Sequence, residues 1–258
     1  MARAADDTGG EGVLDRMLRV LDCFSEDEPE LTAAELSERT GLASSTLHRL
    51  LAQLVTEQLL GRAAGHRYTI GVRLWELGEL SPLSLRLRET ALPHMARLYE
   101  ATGENVHLAV LSGATPQTSF ALYVGRITGR GSIATLSRMG GRGPLHATGV
   151  GKALLSARDE AWLEQYFEAP RERETVHTVI DEDELRAEIA QARLRGYAHT
   201  REEMTLGNIS VAAPLGPVEG MPPIALGVVV HLDRADERRL GPLVVQASRD
   251  LQDQLRGK

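Results

Sequence analysis

Apolar positions along the first third of the chain recur at helical spacing. Val13, Leu14, Met17, Leu18, Leu21 and Phe24 form one stripe, which predicts a first helix. Thr32 and Glu35 then stand at the separation of a capping box, in which each side chain satisfies the other's orphan backbone N–H. A helix of about two turns is expected to follow, with Ala34 and Leu36 on its apolar side and Glu35, Glu38 and Arg39 facing water. Thr40-Gly41-Leu42 supplies a turn. A further helix is expected beyond it, with Ser44 or Ser45 as N-cap and Leu47, Leu50, Leu51 and Leu54 on one buried face. Leu59-Leu60 and Arg67 to Ile70 read as two short strands joined through Arg62-Ala63-Ala64-Gly65-His66. Two helices, a sharp turn and a hairpin wing therefore organise this stretch.

Downstream the period changes. Val72, Leu74, Leu77 and Leu80 continue a helix that Ser81-Pro82 breaks. Leu83 to Thr102 reads as a longer amphipathic linker helix and dimer surface, kinked or restarted at Pro93 and ended by Gly103. Strand-like runs follow at Val106–Leu111, Phe120–Val124, Ile133–Met139, Tyr197–Thr200, Ile209–Leu215 and Ile224–Leu232. Helical patterns lie at Ala147–Ser156, Ala161–Phe167, Asp181–Arg195 and Ala235–Leu255. Tight turns and helices both join the strands, so the expected class is α+β with a largely antiparallel sheet. The expected organisation is a disordered tail over residues 1–10, a winged helix-turn-helix domain over 11–80, a linker over 81–102 and a second domain over 103–258.

Charge sharpens this picture. The 258-residue chain carries a net −7, yet from Arg39 to Arg73 five arginines face only Glu57, a local +4. Such a patch attracts a polyanion that the rest of the chain repels. The polar face of the second helix offers Ser44, Ser45, Thr46, His48, Arg49 and Gln53, hydrogen-bonding heads suited to phosphates and base edges in a major groove. Arg62, His66 and Arg67 place cations on the wing. Double-stranded DNA is the expected partner. The lone Cys23 can form no internal disulfide, and no signal peptide or bilayer-length apolar run is evident, so a reducing cytoplasmic setting is expected.

The sharpest chemical feature of the second domain is Pro144 to Ala153. A glycine-containing turn entering a helix offers free N–H groups to a carboxylate or phosphate, although a glycine-rich helix start merely packed under a sheet has the same sequence. It fails as a P-loop, because His146 stands where that motif needs glycine and Ala153 where it needs Ser or Thr. The eight histidines are scattered without i, i+4 pairs, so no metal or other cofactor is expected, and His107 and His231 read as core or rim residues. No catalytic constellation is evident. Two rivals to a DNA-binding regulator remain: a phosphate- or nucleotide-using enzyme with a winged-helix appendage, and a protein-interaction module that never meets DNA.

Several stretches together resemble the IclR-type bacterial transcriptional regulators: Leu31 to Leu60, Tyr68-Thr69-Ile70-Gly71 with Leu77-Gly78, Pro144 to Leu155, Arg195 to Ala198 with Arg201-Glu202-Glu203, and Val211 to Pro214. The resemblance implies a winged helix-turn-helix domain, a linker helix and a GAF-like effector-binding domain, assembled as a dimer or dimer of dimers on a palindromic operator. It also implies that Thr148, Gly149 and Val150 hold an effector carboxylate, with Thr200, Asn208, Ser210, Gly227 and Val229 around it. The common family pattern has Asp, Cys and two Ser where this chain has Thr200, Ser210, Gly227 and Val229. Fewer polar groups there imply an effector larger or more apolar than glyoxylate- or pyruvate-sized acids.

Overall fold

The computed structural model describes residues 12–128 and 137–257, and the chain divides into two compact units at Ser81 and Pro82. The first unit contains α1 (Val13–Leu21), β1 (Glu30–Thr32), α2 (Ala33–Thr40), α3 (Ser44–Thr56), β2 (Leu60–Ala63), β3 (Arg67–Ile70) and α4 (Val72–Glu79). The expected tail at 1–10 lies outside the described residues.

The capping box forms as the spacing requires. Glu35 N donates to Thr32 Oγ1 at 3.2 Å, and Thr32 N donates to Glu35 Oε2 at 2.7 Å. Gly41 ends α2 with φ 65°, a left-handed turn that an L side chain would resist. Two local expectations fail. Ala43, not Ser44 or Ser45, is the N-cap of α3, so both serines lie in its first turn with exposed side chains. Ala34 is exposed, and Ala33 packs on the core instead. That core joins Val20, Leu31, Leu36, Leu47, Leu51, Leu54, Leu60 and Tyr68, so α3 contributes three leucines of its predicted stripe and α2 contributes Leu36.

The wing has a strand that periodicity could not show. β1 pairs antiparallel with β3, with Leu31 opposite Tyr68, and gives the order β1-β3-β2. It is three residues long, so its single buried side chain leaves no alternation to read. α4 forms as expected but turns its apolar residues outward: Trp75 is 66% exposed and Leu80 follows just beyond at 69%.

The second unit begins with a π-type turn over Leu83–Arg88 and continues as α5 (Glu89–Thr102). The winding changes at Glu89, the residue whose carbonyl the missing N–H of Pro93 leaves without its α-helical donor. This segment is no free linker. Leu87, Ala91, Met95 and Leu98 are buried in the second unit's own core. Next come β4 (Asn105–Ser112), β5 (Phe120–Ile127), β6 (Arg142–Gly143), α6 (Gly149–Ser156), α7 (Glu160–Phe167), α8 (Glu182–Arg195), β7 (Ala198–Arg201), β8 (Asn208–Pro214), β9 (Ile224–His231) and α9 (Glu237–Leu255). Of the strand expected at Ile133–Met139, residues 133–136 lie outside the described residues and 137–139 are irregular.

All pairings in the six-stranded sheet, β6-β5-β4-β9-β8-β7, are antiparallel. Its two faces differ in side-chain size. Val106, Leu108, Val110, Val211, Leu226 and Val228 pack with α5 and α9. The opposite face carries Ala109, Ala121, Ala198, Ala212 and Ala225, and those small residues let α6 lie close against the strands. A β-bulge between Leu108 and Ala109 shifts the register with β5, pairing His107 with Arg126.

Candidate functional site

On the first unit, α3 presents Ser44, Ser45, His48, Arg49 and Gln53 as exposed side chains, with Thr46 half-buried beside them. The face opposite Leu47, Leu50, Leu51 and Leu54 is therefore free for a groove. On the wing Arg62 and His66 are exposed, and Arg62 lies over the Tyr68 ring at 5.4 Å. Arg67 is engaged otherwise: its Nη1 donates to Glu30 O at 2.9 Å and sits 3.8 Å from the Glu35 carboxylate. Arg39 is likewise paired, with both its Nη atoms on Glu28. The sequence count of +4 thus overstates the free charge, since two of its five arginines answer carboxylates just upstream. Arg49 and Arg62 make no ion pair among the described residues.

The second unit holds a cavity of about 60 Å³ between the first turn of α6 and the small-residue face of the sheet. Thr148 caps α6: its Oγ1 accepts from Gly151 N at 3.1 Å and donates to Pro144 O at 2.8 Å, while its carbonyl accepts from Lys152 N at 2.9 Å. The amides of Gly149 and Val150 keep no intrahelical acceptor and face the cavity at the positive end of the helix. A Cβ on Gly149 would lie 2.3 Å from Ser210 Oγ, so only glycine lets the helix start rest on β8.

Thr148, Gly149, Val150, Thr200, Asn208, Ser210 and Val229 all line this cavity, although they come from four different elements. Gly227 does not. It lies two residues before Val229 on β9, where a Cβ would meet Ala212 Cβ at 2.6 Å, so its smallness serves strand packing instead.

Sequence reasoning missed other walls. His107, read as core or rim, is buried and also lines the cavity, with Nε2 2.9 Å from Ser137 Oγ and its ring edge-on to Tyr123 at 5.5 Å. Burial, aided by the Arg126 charge, pushes its pKa down to about 3, so the imidazole is neutral. Burial likewise lifts the Tyr123 phenol to about 12, against a hydrogen bond with Thr148. Arg142, exposed at the rim and stacked 4.6 Å over Phe120, brings a positive charge to the cavity. The turn after β7 closes another side with Glu203, Met204 and Thr205. The antiparallel arrangement alone brings these residues together, and no local motif announces them.

Lys152 resolves the phosphate question raised by the glycine turn. Its side chain is 2% exposed, and Nζ donates to Glu203 Oε2 at 2.6 Å and to Glu188. An ammonium committed to two carboxylates has no free charge for a nucleotide. Burial raises the pKa of Glu203 despite that lysine. Thr175 and Thr178 hydroxyls donate to the carbonyls of Glu202 and Glu203 at 2.6 and 2.7 Å, fixing the same turn from its other side.

Comparison with known proteins decides the family. The bacterial transcriptional regulator IclR C-terminal domain matches residues 82–255, and the IclR helix-turn-helix domain matches residues 13–63. This chain belongs to the IclR family. It is a regulator with a helix-turn-helix DNA-binding domain and a C-terminal ligand-binding domain. It is 31% identical over 229 residues to the transcriptional regulator XynR of Escherichia coli, covering 88% of this chain and 89% of that one. To the Pca regulon regulatory protein of Pseudomonas putida it is 32% identical over 252 residues, 95% and 84% of the two chains. A solved IclR homologue from Microbacterium hydrocarbonoxydans, complexed with 4-hydroxybenzoate, matches with a TM-score of 0.87 and 31% identity over 96% of this chain and 100% of that one.

Proposed function

We propose that the effector of this IclR-family regulator is an organic acid held at the start of α6, where the amides of Gly149 and Val150 receive its carboxylate. The observation that carries this reading is the pair of unclaimed amides facing a buried cavity with a cationic rim and a neutral imidazole. The 4-hydroxybenzoate bound by the Microbacterium homologue supports an aromatic acid. The cavity is small, about 60 Å³, so its walls decide which ring enters. Met204, unbranched and half-buried, is the adaptable one. Isothermal titration of the full chain with benzoates and with pyruvate-sized acids tests this. Tighter binding of the benzoates is expected, and tight binding of the small hydrophilic acids alone would refute it.

On DNA, the exposed face of α3 from Ser44 to Gln53 reads base edges in the major groove, while Arg62 and His66 touch backbone or the minor groove. Arg67 serves the wing's own fold more than its contacts. Arg49→Ala is expected to weaken operator binding by about 1–3 kcal/mol, and an unchanged gel-shift midpoint would remove that assignment. The outward apolar residues of α1 and α4, among them Leu14 and Trp75, supply surface for a second copy, which makes the operator palindromic. The protein acts in the cytoplasm, where its DNA is. A bound effector changes operator affinity only by the difference in its affinity for the two arrangements of the regulator.

A further inference from the structure

The cavity contains a buried acceptor that no described residue satisfies. Asn208 is 8% exposed, opens β8 and lines the cavity, and its Oδ1 has no hydrogen-bond partner among the described residues. A buried carboxamide oxygen left unpaired costs folding free energy, and such orphans call for a missing donor. The backbone of Asn208 is held on both sides. Its N–H donates to Thr205 O at 3.4 Å and its carbonyl accepts from Glu202 N at 2.7 Å.

Geometry places this acceptor relative to the carboxylate site. Ser210, which Gly149 touches, lies on the same face of β8 two residues beyond Asn208. Asn208 and the start of α6 therefore line one cavity, in which Tyr123, Val150, Met204 and Val229 offer apolar surface.

We infer that Asn208 reads a hydroxyl on the effector, so that the ligand class is a carboxylic acid that also carries a hydroxyl, donated to Asn208 Oδ1. This rests on the carboxylate reading of the α6 turn given above, and it adds a specificity residue to it. A site built to satisfy a polar group discriminates strongly against an analogue lacking it, because the protein's own group is then left unpaired.

The test uses the full chain and three probes: 4-hydroxybenzoate, 4-methoxybenzoate, which keeps the oxygen but has no proton to donate, and benzoate. Calorimetry is expected to show 4-hydroxybenzoate at least ten-fold tighter than either analogue. In Asn208→Leu that preference should fall to two-fold or less. The variant replaces an unsatisfied polar group with an apolar one of similar size, so its ligand-free melting temperature should be equal or higher, which shows that it folds. Equal affinity for all three probes in the parent chain would overturn the role of Asn208 and leave the carboxylate site standing. An undiminished hydroxyl preference in Asn208→Leu would do the same. Failure of all three to bind would overturn the carboxylate reading and this inference with it.

Discussion

Acid should destabilise the second unit through His107. Its ordinary pKa of 6.5 falls to about 3 in the folded chain, because the ring is buried and Arg126 stands beside it. In the unfolded chain the imidazole binds a proton below about pH 6.5, while the folded one stays neutral down to about pH 3. Between those values the unfolded state holds more protons, so stability rises with pH across that window and is lost as pH falls through it. At about 1.36 kcal/mol per pKa unit, the full loss approaches 5 kcal/mol. Going only from pH 7 to pH 5 the unfolded chain gains about 2 kcal/mol from this one group. For a unit of this size that corresponds to about 4–8 °C in melting temperature. Other groups titrate over the same range, so the measurement is a comparison. Thermal unfolding of the parent chain and of His107→Gln is followed from pH 7 to pH 5, glutamine keeping a partner for Ser137 without a titrating ring. The parent should lose about 2 kcal/mol more than the variant. Parallel pH profiles would refute the claim that His107 is held neutral.

Lys152→Met leaves Glu203 and Glu188 without their shared cation, and breaking a buried pair from one side costs about 3–5 kcal/mol; a chemical denaturation midpoint unchanged from the parent would contradict the pairing. Gly149→Ala forces a methyl group into Ser210 Oγ at 2.3 Å and Ser210 Cβ at 2.9 Å, lifting the start of α6 from β8; it should abolish effector binding by calorimetry while the first unit still binds operator DNA, and retained effector affinity would show that the helix start does not define the site. Thr32→Ala removes one half of the capping box and should lower stability by about 1 kcal/mol, read as a shift in thermal midpoint that is absent if α2 is held by packing alone.

What could be read from the sequence was whatever repeats at a fixed period or sits at a fixed offset. The buried stripe of α3 and the Thr32–Glu35 box needed no tertiary information, because their partners lie within one or two helical turns. β1 and β6 escaped, since strands of three and two residues cannot display alternation. The N-cap of α3 was misplaced by one or two residues, because a serine competes for that role only when its backbone is extended, and at Ser44 the helix has already begun. The +4 count failed for a related reason. A window along the chain cannot see that Glu28 and Glu35 fold back onto Arg39 and Arg67.

The cavity was half legible, and the division follows from its construction. The α6 turn shows itself because glycines and a capping threonine are compressed into a few residues. Its walls come from β4, β5, β7, β8 and β9, whose contributions are single side chains separated by tens of residues. His107 looked like a core histidine, and it is one. Its position beside the cavity depends on the bulge at Leu108–Ala109 and on the pairing of β4 with β5. The expectation of a pocket depleted in polar groups came from four positions alone. It missed the His107 imidazole, the Ser137 hydroxyl and the Tyr123 phenol, which β4, β5 and the irregular stretch before β6 bring to the same wall. Polar capacity also comes from other parts of the chain, so the chemistry of the ligand follows from which of these groups lack partners and not from how many of them there are.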